Sequence, residues 1–305
     1  MPTGIAIHPD AAARNAVDDV IDQARAAHAL GIEQIWLAQR VDLDAIALAA
    51  VVGAAVPGLG VGTSVVPINP RHPLLVASAA QTAQAASHGR FSLGLGLGSH
   101  EPERKAFDAT WANPVGRLRE HLTVLRSIFD TGGVDFHGEF LGAAPQWPTA
   151  VAGGTPVPIY VAAMGEKALA ASGELADGTL PYLAGPRTIS EFIEPTIARA
   201  AAAAGRPAPR IIAVVPVLVT DDRDAVFAEV AAELAFYETI PSYQRVIARE
   251  RVGSAAELAA VGSADAVIRQ VRRYTEAGAT DLVLTPIGPV DAAARARLRE
   301  VAAAL

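Results

Sequence analysis

The strongest constraint on the fold is an alternation of short apolar runs and amphipathic helical segments along the whole chain. The apolar runs predict strands at residues 4–7, 33–38, 59–66, 91–95, 158–163, 178–182, 211–219 and 280–285. Segments with helical periodicity separate these runs, and helices connecting consecutive strands are typical of a parallel sheet. Eight such units favour closure into an α/β barrel of the (β/α)8 TIM type. An open doubly wound sheet is the alternative architecture.

The domain organisation predicted from the sequence is simple. A barrel of this kind commonly forms one domain of about 250 residues or more, and this chain has 305. No linker or shift in composition divides it, so one domain over residues 1–305 is expected. Residues 130–155 are rich in glycine, proline and aromatics, which predicts an insertion with a hairpin between strands four and five.

Composition excludes several classes of function. The chain has no cysteine, which removes disulfides, thiolate metal sites and cysteine nucleophiles. Its net charge is -7 and it has no basic run, so nucleic acid is not an expected partner. Glycines and prolines interrupt the long uncharged stretches 45–70 and 141–165, which argues against membrane spans. No signal-peptide pattern opens the chain, and a cytoplasmic location is expected.

The residues after each predicted strand indicate where chemistry should occur, because barrel active sites lie at the C-terminal ends of the strands. These positions hold His8, Gln39, Arg40, Ser99, His100, Glu101 and Tyr182. They contain no His and carboxylate cluster for a metal, no Gly-x-Ser-x-Gly elbow and no Walker-type loop. Because so few polar side chains follow the strands, a bound cofactor that carries out the reaction is favoured.

Two further strand ends bear on cofactor binding. Gly94, Gly96 and Gly98 could form a dinucleotide fingerprint, but the spacing favours glycines that leave room for a flat ring. Ala163, Met164 and Gly165 lead into a helix, whose N-terminal N–H groups could hold a phosphate. An ordinary strand-to-helix turn is the alternative interpretation of that segment.

Several stretches, in this order along almost the whole chain, resemble the luciferase-like family. They are Gly62 to Pro67, Pro70 to Pro73, Gly89 to Gly96, Arg117 to Leu125, Phe136 to Phe140, Pro158 to Gly165, Gly173 to Gly178 and Ala264 to Ala279. The chain is most similar to the actinobacterial branch of luciferase-like monooxygenases that uses the deazaflavin coenzyme F420. The resemblance implies a luciferase-like barrel, and barrel enzymes of this family often form a homodimer.

The resemblance also implies roles for individual residues. It places a non-prolyl cis peptide at Ser64–Val65, behind the deazaflavin ring, and backbone contacts to the cofactor at Ala163, Met164 and Gly165. Thr63 and Gln39 are expected to lie beside them. Several F420 enzymes have an acidic residue and a histidine where this chain has Gln39 and Arg40, so a mechanism like that of the sugar-phosphate dehydrogenases is not expected.

The leading functional hypothesis is a reductase that transfers a hydride from reduced F420 to a C=C, C=N or C=O bond of a small organic substrate. Among the 7 histidines, His100 is the best candidate for the proton donor, because an imidazole titrates near neutral pH. His8, Ser99, Glu101 and Tyr182 are expected to line the substrate pocket. The alternatives are a monooxygenase that uses reduced FMN, and a non-catalytic flavin-binding protein.

Overall fold

A computed structural model describes residues 2–98, 105–108 and 112–305. Its strands are β1 (Thr3–Ile7), β2 (Gln34–Leu37), β3 (Gly60–Thr63), β4 (Val66–Pro67), β5 (Phe91–Gly96), β6 (Phe136–His137), β7 (Gly142–Ala143), β8 (Ile159–Ala162), β9 (Gly178–Thr179), β10 (Arg210–Val219), β11 (Ala260–Gly262) and β12 (Asp281–Pro286). The strands β1, β2, β3, β5, β8, β9, β10 and β12 pair in parallel in a closed ring. The predicted (β/α)8 TIM barrel is therefore confirmed.

Helices surround the barrel. They are α1 (Ala16–Ala29), α2 (Ala45–Ala55), α3 (Pro73–Ala86), α4 (Pro114–Thr131), α5 (Glu166–Leu175), α6 (Pro186–Thr188), α7 (Glu194–Ala203), α8 (Arg223–Glu238), α9 (Pro241–Glu250), α10 (Ala264–Glu276) and α11 (Ala292–Ala303). A π-helical turn, Ile189–Ile193, joins α6 to α7. A 3-10 turn, Ala255–Leu258, precedes β11. Within the part of the chain that the structure describes, no helix is long and apolar enough to cross a membrane.

The predicted insertion between strands four and five contains a hairpin, as expected. Its two short strands pair antiparallel, with Phe136 opposite Ala143 and His137 opposite Gly142. The Glu120 carboxylate of α4 accepts hydrogen bonds from three consecutive backbone N–H groups of the turn, at residues 139–141. These bonds fix the insertion against α4.

The first helix begins at Ala16, because the Asn15 side chain caps it by accepting from Val17 N and Asp18 N. Two strand boundaries differ from the prediction. The predicted third strand is divided into β3 and β4. The predicted sixth strand keeps only its first two residues, and Tyr182 forms an isolated bridge to Val214.

Candidate active site at the barrel mouth

The division between β3 and β4 is a bulge against β5. Gly62 pairs with Ser92 and Val66 pairs with Leu95, so four residue steps on one side oppose three on the other. The peptide bond between Ser64 and Val65, inside this bulge, is cis. That bond was predicted at this position and is confirmed.

The Thr63 side chain holds the bulge to the neighbouring strand. Thr63 is fully buried. Its hydroxyl donates to the Gly94 carbonyl at 2.9 Å and accepts from the Gly94 N–H at 2.9 Å. The hydroxyl thus takes the place of a ladder partner, and the expected contact between Thr63 and a cofactor stays a prediction.

The glycines of β5 serve the same bulge. A Cβ atom added at Gly94 would lie 1.8 Å from the Thr63 carbonyl oxygen. One added at Gly96 would lie 2.6 Å from Cγ2 of Val65. The prediction that these glycines leave room for a flat ring is therefore corrected, because the space they leave is occupied by the β3–β4 segment itself.

Aromatic side chains fill the barrel below the bulge. Trp36 and Tyr160 are buried, with ring centroids 6.3 Å apart in an edge-to-face arrangement. Trp36 lies opposite Gly62 in the β2–β3 pairing, and a Cβ at Gly62 would come within 2.4 Å of the indole ring. Val65 packs partly buried against this interior cluster. The residues at the bulge therefore pack on a floor of buried aromatic side chains.

The opposite end of the interior is closed by an ion pair. Arg210 Nε lies 2.9 Å from Asp281 Oδ2, a second Arg210–Asp281 contact completes a bidentate pair, and Arg210 also donates to the Tyr160 hydroxyl at 3.3 Å. Burial raises the pKa of Tyr160. Because this group lies at the start of β10 and β12, away from the C-terminal ends, we assign it to barrel stability.

The end of β8 presents an open helix terminus. Gly165 is the N-cap of α5, and no side chain caps this helix. A Cβ built at Gly165 would meet nothing within 4 Å. The first N–H groups of α5 therefore have no side-chain acceptor, and an uncapped helix N-terminus of this kind can bind a phosphate group. Ala163 is buried and Met164 packs half-buried against the core. The backbone contacts expected between this segment and a cofactor stay a prediction.

Gln39, expected beside the cofactor, has its side chain fully engaged. Its Nε2 donates to the carbonyls of Arg40 and Leu43, at 2.7 and 3.3 Å. Its Oε1 accepts from Ala45 N and from Arg71 Nη2, at 3.1 and 3.2 Å. An amide has two donor hydrogens and two acceptor lone pairs, so none is free for a ligand. Gln39 organises the loop into α2, and its expected contact with a cofactor stays a prediction.

Tyr182, expected in the substrate pocket, belongs to a tyrosine cluster. Its ring lies 5.2 Å from that of Tyr237 and 6.4 Å from that of Tyr243. Burial, followed by the neighbouring tyrosines and Glu233, raises the pKa of Tyr182 well above its ordinary value. Tyr182 therefore stays protonated at neutral pH. Sequence reasoning did not place Tyr237 or Tyr243 beside Tyr182, although α8 and α9 bring both to it.

His8 lines a cavity of about 310 Å³ beside the ends of β1 and β12. Arg295 and Leu298 of α11 and Glu233 of α8 also line it. Burial, then Arg40 and Arg295, lowers the pKa of His8, so its imidazole is neutral at pH 7. This agrees with a pocket position for His8 but not with a charged one.

The strand-four residues Ser99, His100 and Glu101 lie outside the residues that the structure describes. They stay predictions from the sequence. Within residues 2–98, 105–108 and 112–305, no three His, Asp or Glu side chains come together as a metal site would need.

Comparison with known proteins gives a consistent picture of the family. The sequence model of the luciferase-like monooxygenases matches residues 1–281. A Mycobacterium tuberculosis protein, provisionally named as a coenzyme F420-dependent oxidoreductase, is 28% identical over 232 residues. That match covers 70% of this chain and 65% of the relative. The chain spans about three fifths of the length of the curated relatives that it matches, for example 59% of one mycobacterial protein.

Solved structures share the fold at low identity. The coenzyme F420-dependent tetrahydromethanopterin reductase of Methanopyrus kandleri superposes with a TM-score of 0.79 at 19% identity, over 99% of this chain and 97% of that one. The oxygenating component of a Pseudomonas putida diketocamphane monooxygenase, in complex with FMN, gives 0.77 at 17% identity, over 99% and 97%. At these identities the likeness concerns the fold, and one fold serves both cofactors.

Proposed function

Because the chain belongs to the luciferase-like monooxygenase family, we propose that it is an oxidoreductase dependent on coenzyme F420. We propose a reductase: the reduced deazaflavin supplies a hydride to a C=C, C=N or C=O bond of a small organic substrate. The named relative from Mycobacterium tuberculosis supports F420 over other cofactors. Substrate class and direction belong to the same proposal.

One observation carries the placement of the cofactor. The β3–β4 bulge and the open N-terminus of α5 lie at the same end of the barrel, with only β5 between them in the strand order. Neighbouring strands are about 4.8 Å apart, so the two features are separated by roughly 10 Å. A ring that carries a phosphate on a short chain fits this separation, with the ring at the bulge and the phosphate at Gly165.

Different residues of the chain would then bind the phosphate, shield the ring and contact the substrate. The first N–H groups of α5 hold the phosphate, and the backbone of Ala163 to Gly165 borders it. Val65, Ser64 and the floor below them exclude water from one face of the ring, and a dry site strengthens every polar interaction within it. His8, Ser99, Glu101 and Tyr182 line the substrate pocket.

We assign proton donation to His100. His100→Ala should lower turnover by about 10²–10⁴-fold and leave F420 affinity nearly unchanged, because positioned acid catalysis contributes in this range. His88→Ala is the matched control, since His88 is an exposed turn residue at the other end of β5. Unchanged turnover in folded His100→Ala would return the proton transfer to water, His8 or Tyr182.

An FMN-dependent monooxygenase is the second candidate, favoured by the family model and by the FMN-bound neighbour. The two candidates differ in their reaction with oxygen. Oxygen uptake with reduced FMN and a trial set of organic substrates would identify the monooxygenase. Oxidation of reduced F420 without oxygen uptake, dependent on an added enone, imine or ketone, would identify the reductase.

A further inference from the structure

A second cavity, of about 150 Å³, lies beside the barrel mouth. The loop after β4 forms one wall and the start of α4 forms another, with Phe140 and Leu141 of the insertion closing it. Asn69, Arg71, His72, Arg117 and His121 supply its polar lining. Among the described residues that line it, none is a carboxylate. A ligand here would therefore meet donors and positive charge.

Two of these side chains have buried polar atoms without a partner. Asn69 Nδ2 and His121 Nε2 are both inaccessible to solvent and make no hydrogen bond to the described residues. His121 is only 2% exposed. Leaving a buried polar group unpaired is unfavourable. Both residues line the cavity, so a small rotation of each side chain would let a ligand bound there satisfy both groups.

The two arginines at this cavity differ in whether a carboxylate of the described residues neutralises their charge. Arg71 pairs with Asp44 and donates to Gln39, so its charge is largely neutralised. Arg117 lies with its guanidinium carbon 5.0 Å from the Phe140 ring centre, and its Nε donates to the Ala112 carbonyl at 3.1 Å. Within the described residues, no carboxylate pairs with Arg117. Its two terminal nitrogens are therefore the charged donors available to a ligand.

His72 is fixed and does not compete for that ligand. Its Nδ1 accepts from Leu74 N at 3.2 Å, and its Nε2 donates to the Gly142 carbonyl at 2.9 Å. His121 is neutral at pH 7, since burial and then His72 lower its pKa to about 3. A neutral imidazole has one N–H, which can serve as a donor toward the cavity.

We propose that this cavity, between the loop after β4 and the start of α4, binds a small oxyanion, either a phosphate or a carboxylate group. Arg117 supplies the charge, and Asn69 and His121 supply neutral hydrogen bonds. One water needs about 10–15 Å³ of such space, so the cavity is large enough for a multi-atom group. The proposal does not rest on the proposed cofactor, whose phosphate is proposed to bind at Gly165, after β8.

Calorimetric titration of the full chain with inorganic phosphate, and separately with acetate, tests this inference. Arg117→Gln should weaken binding of the preferred anion by about tenfold or more, the effect of one charge-assisted hydrogen bond. Arg119→Gln is the matched control, because Arg119 lies on the same helix but pairs with Glu174. Asn69→Ala should also weaken binding, and it gives a second reading if Arg117→Gln does not fold.

The Gly165→Asp variant separates this site from the proposed cofactor site. Phosphate binding that persists in Gly165→Asp and is lost in Arg117→Gln supports the inference, whatever the cofactor is. Phosphate binding lost only in Gly165→Asp overturns it. Equal binding in wild type, Arg117→Gln and Asn69→Ala, or no saturable binding at tens of millimolar of either anion, also overturns it and assigns the cavity to water.

Discussion

At the scale of single residues, the candidate site depends on glycines for two different reasons. Gly62 is needed because Trp36 occupies the space where a side chain would stand. Gly165 has open space beside it, with a backbone φ of -108° that any residue can adopt. Packing therefore requires glycine at position 62. Gly165 can be substituted without strain, so its role can be tested by mutation.

Substitution at Gly165 tests the phosphate position. Gly165→Asp should lower cofactor affinity by about hundredfold or more, because a carboxylate near 4 Å from a phosphate costs several kcal/mol even at an effective dielectric constant of 20. Gly165→Asn is the matched control, since both side chains can cap the helix but only one is charged. Cofactor titration of the two variants provides the measurement. Equal affinities would remove the phosphate from this helix terminus.

The buried imidazole of His121 predicts a pH dependence of stability. Its pKa is lowered from 6.5 to about 3 in the folded chain. The unfolded chain takes up a proton below pH 6.5 and the folded chain does not, so the stabilising effect is complete above pH 6.5 and is lost as the pH falls toward 3. Between pH 6.5 and 5 the expected loss is about 2 kcal/mol.

Denaturant unfolding at several pH values, in buffers without phosphate or carboxylate, measures this loss. The readout is the difference between wild type and His121→Gln, because other groups titrate alike in both. Wild type should lose more stability than the variant on acidification. Parallel curves for the two proteins would mean that His121 is protonated in the folded chain.

At the scale of elements, the β3–β4 bulge against β5 is the central feature of the candidate site. Thr63→Val preserves the shape of the side chain but leaves the buried N–H and carbonyl of Gly94 without their partner. A loss of about 1–3 kcal/mol in the free energy of unfolding is expected, with weaker cofactor binding. Thr123→Val is the control, because Thr123 makes only an intrahelical bond to Arg119. Equal stability of the two variants would contradict the role of the Thr63 hydroxyl.

The same elements illustrate what could be predicted from the sequence. Short apolar runs located all eight barrel strands, because strands buried on both faces are nearly continuous in hydrophobicity. The spacing of these runs did not reveal the bulge. The cis peptide bond between Ser64 and Val65 was predicted from the family resemblance. β11 was missed because Ala260–Gly262 is only three residues long, and α9 was missed because Pro241 suggests a loop although it begins the helix.

Site residues were harder to predict than elements, since sequence position gives the strand end but not the hydrogen-bond partners of a side chain. Gln39 and Thr63 were placed at the right strand ends, yet both have partners within the protein. Trp36 opposite Gly62 on the next strand is a signal for the aromatic floor, but it can be recognised only once the register of the two strands is known. Nothing in the sequence of α8 and α9 indicated that Tyr237 and Tyr243 would meet Tyr182.

At the scale of the whole molecule, the closed barrel brings the bulge, the open helix terminus and the tyrosine cluster to one end. The ion pair between Arg210 and Asp281 closes the other end. In other barrels of this kind the C-terminal face carries the chemistry and the opposite face contributes stability, and the proposed site follows that division. The proposed oxyanion cavity lies on the chemical face, in the loop that follows the bulge.

The central claim is that this mouth binds coenzyme F420. Titration of the purified chain with F420 and with FMN, followed by the absorbance of each cofactor, tests it most directly. The account predicts saturable F420 binding with a micromolar or lower Kd, on the order of -8 kcal/mol or stronger, and clearly weaker binding of FMN. FMN binding at least tenfold tighter than F420 binding would contradict the account and favour the monooxygenase.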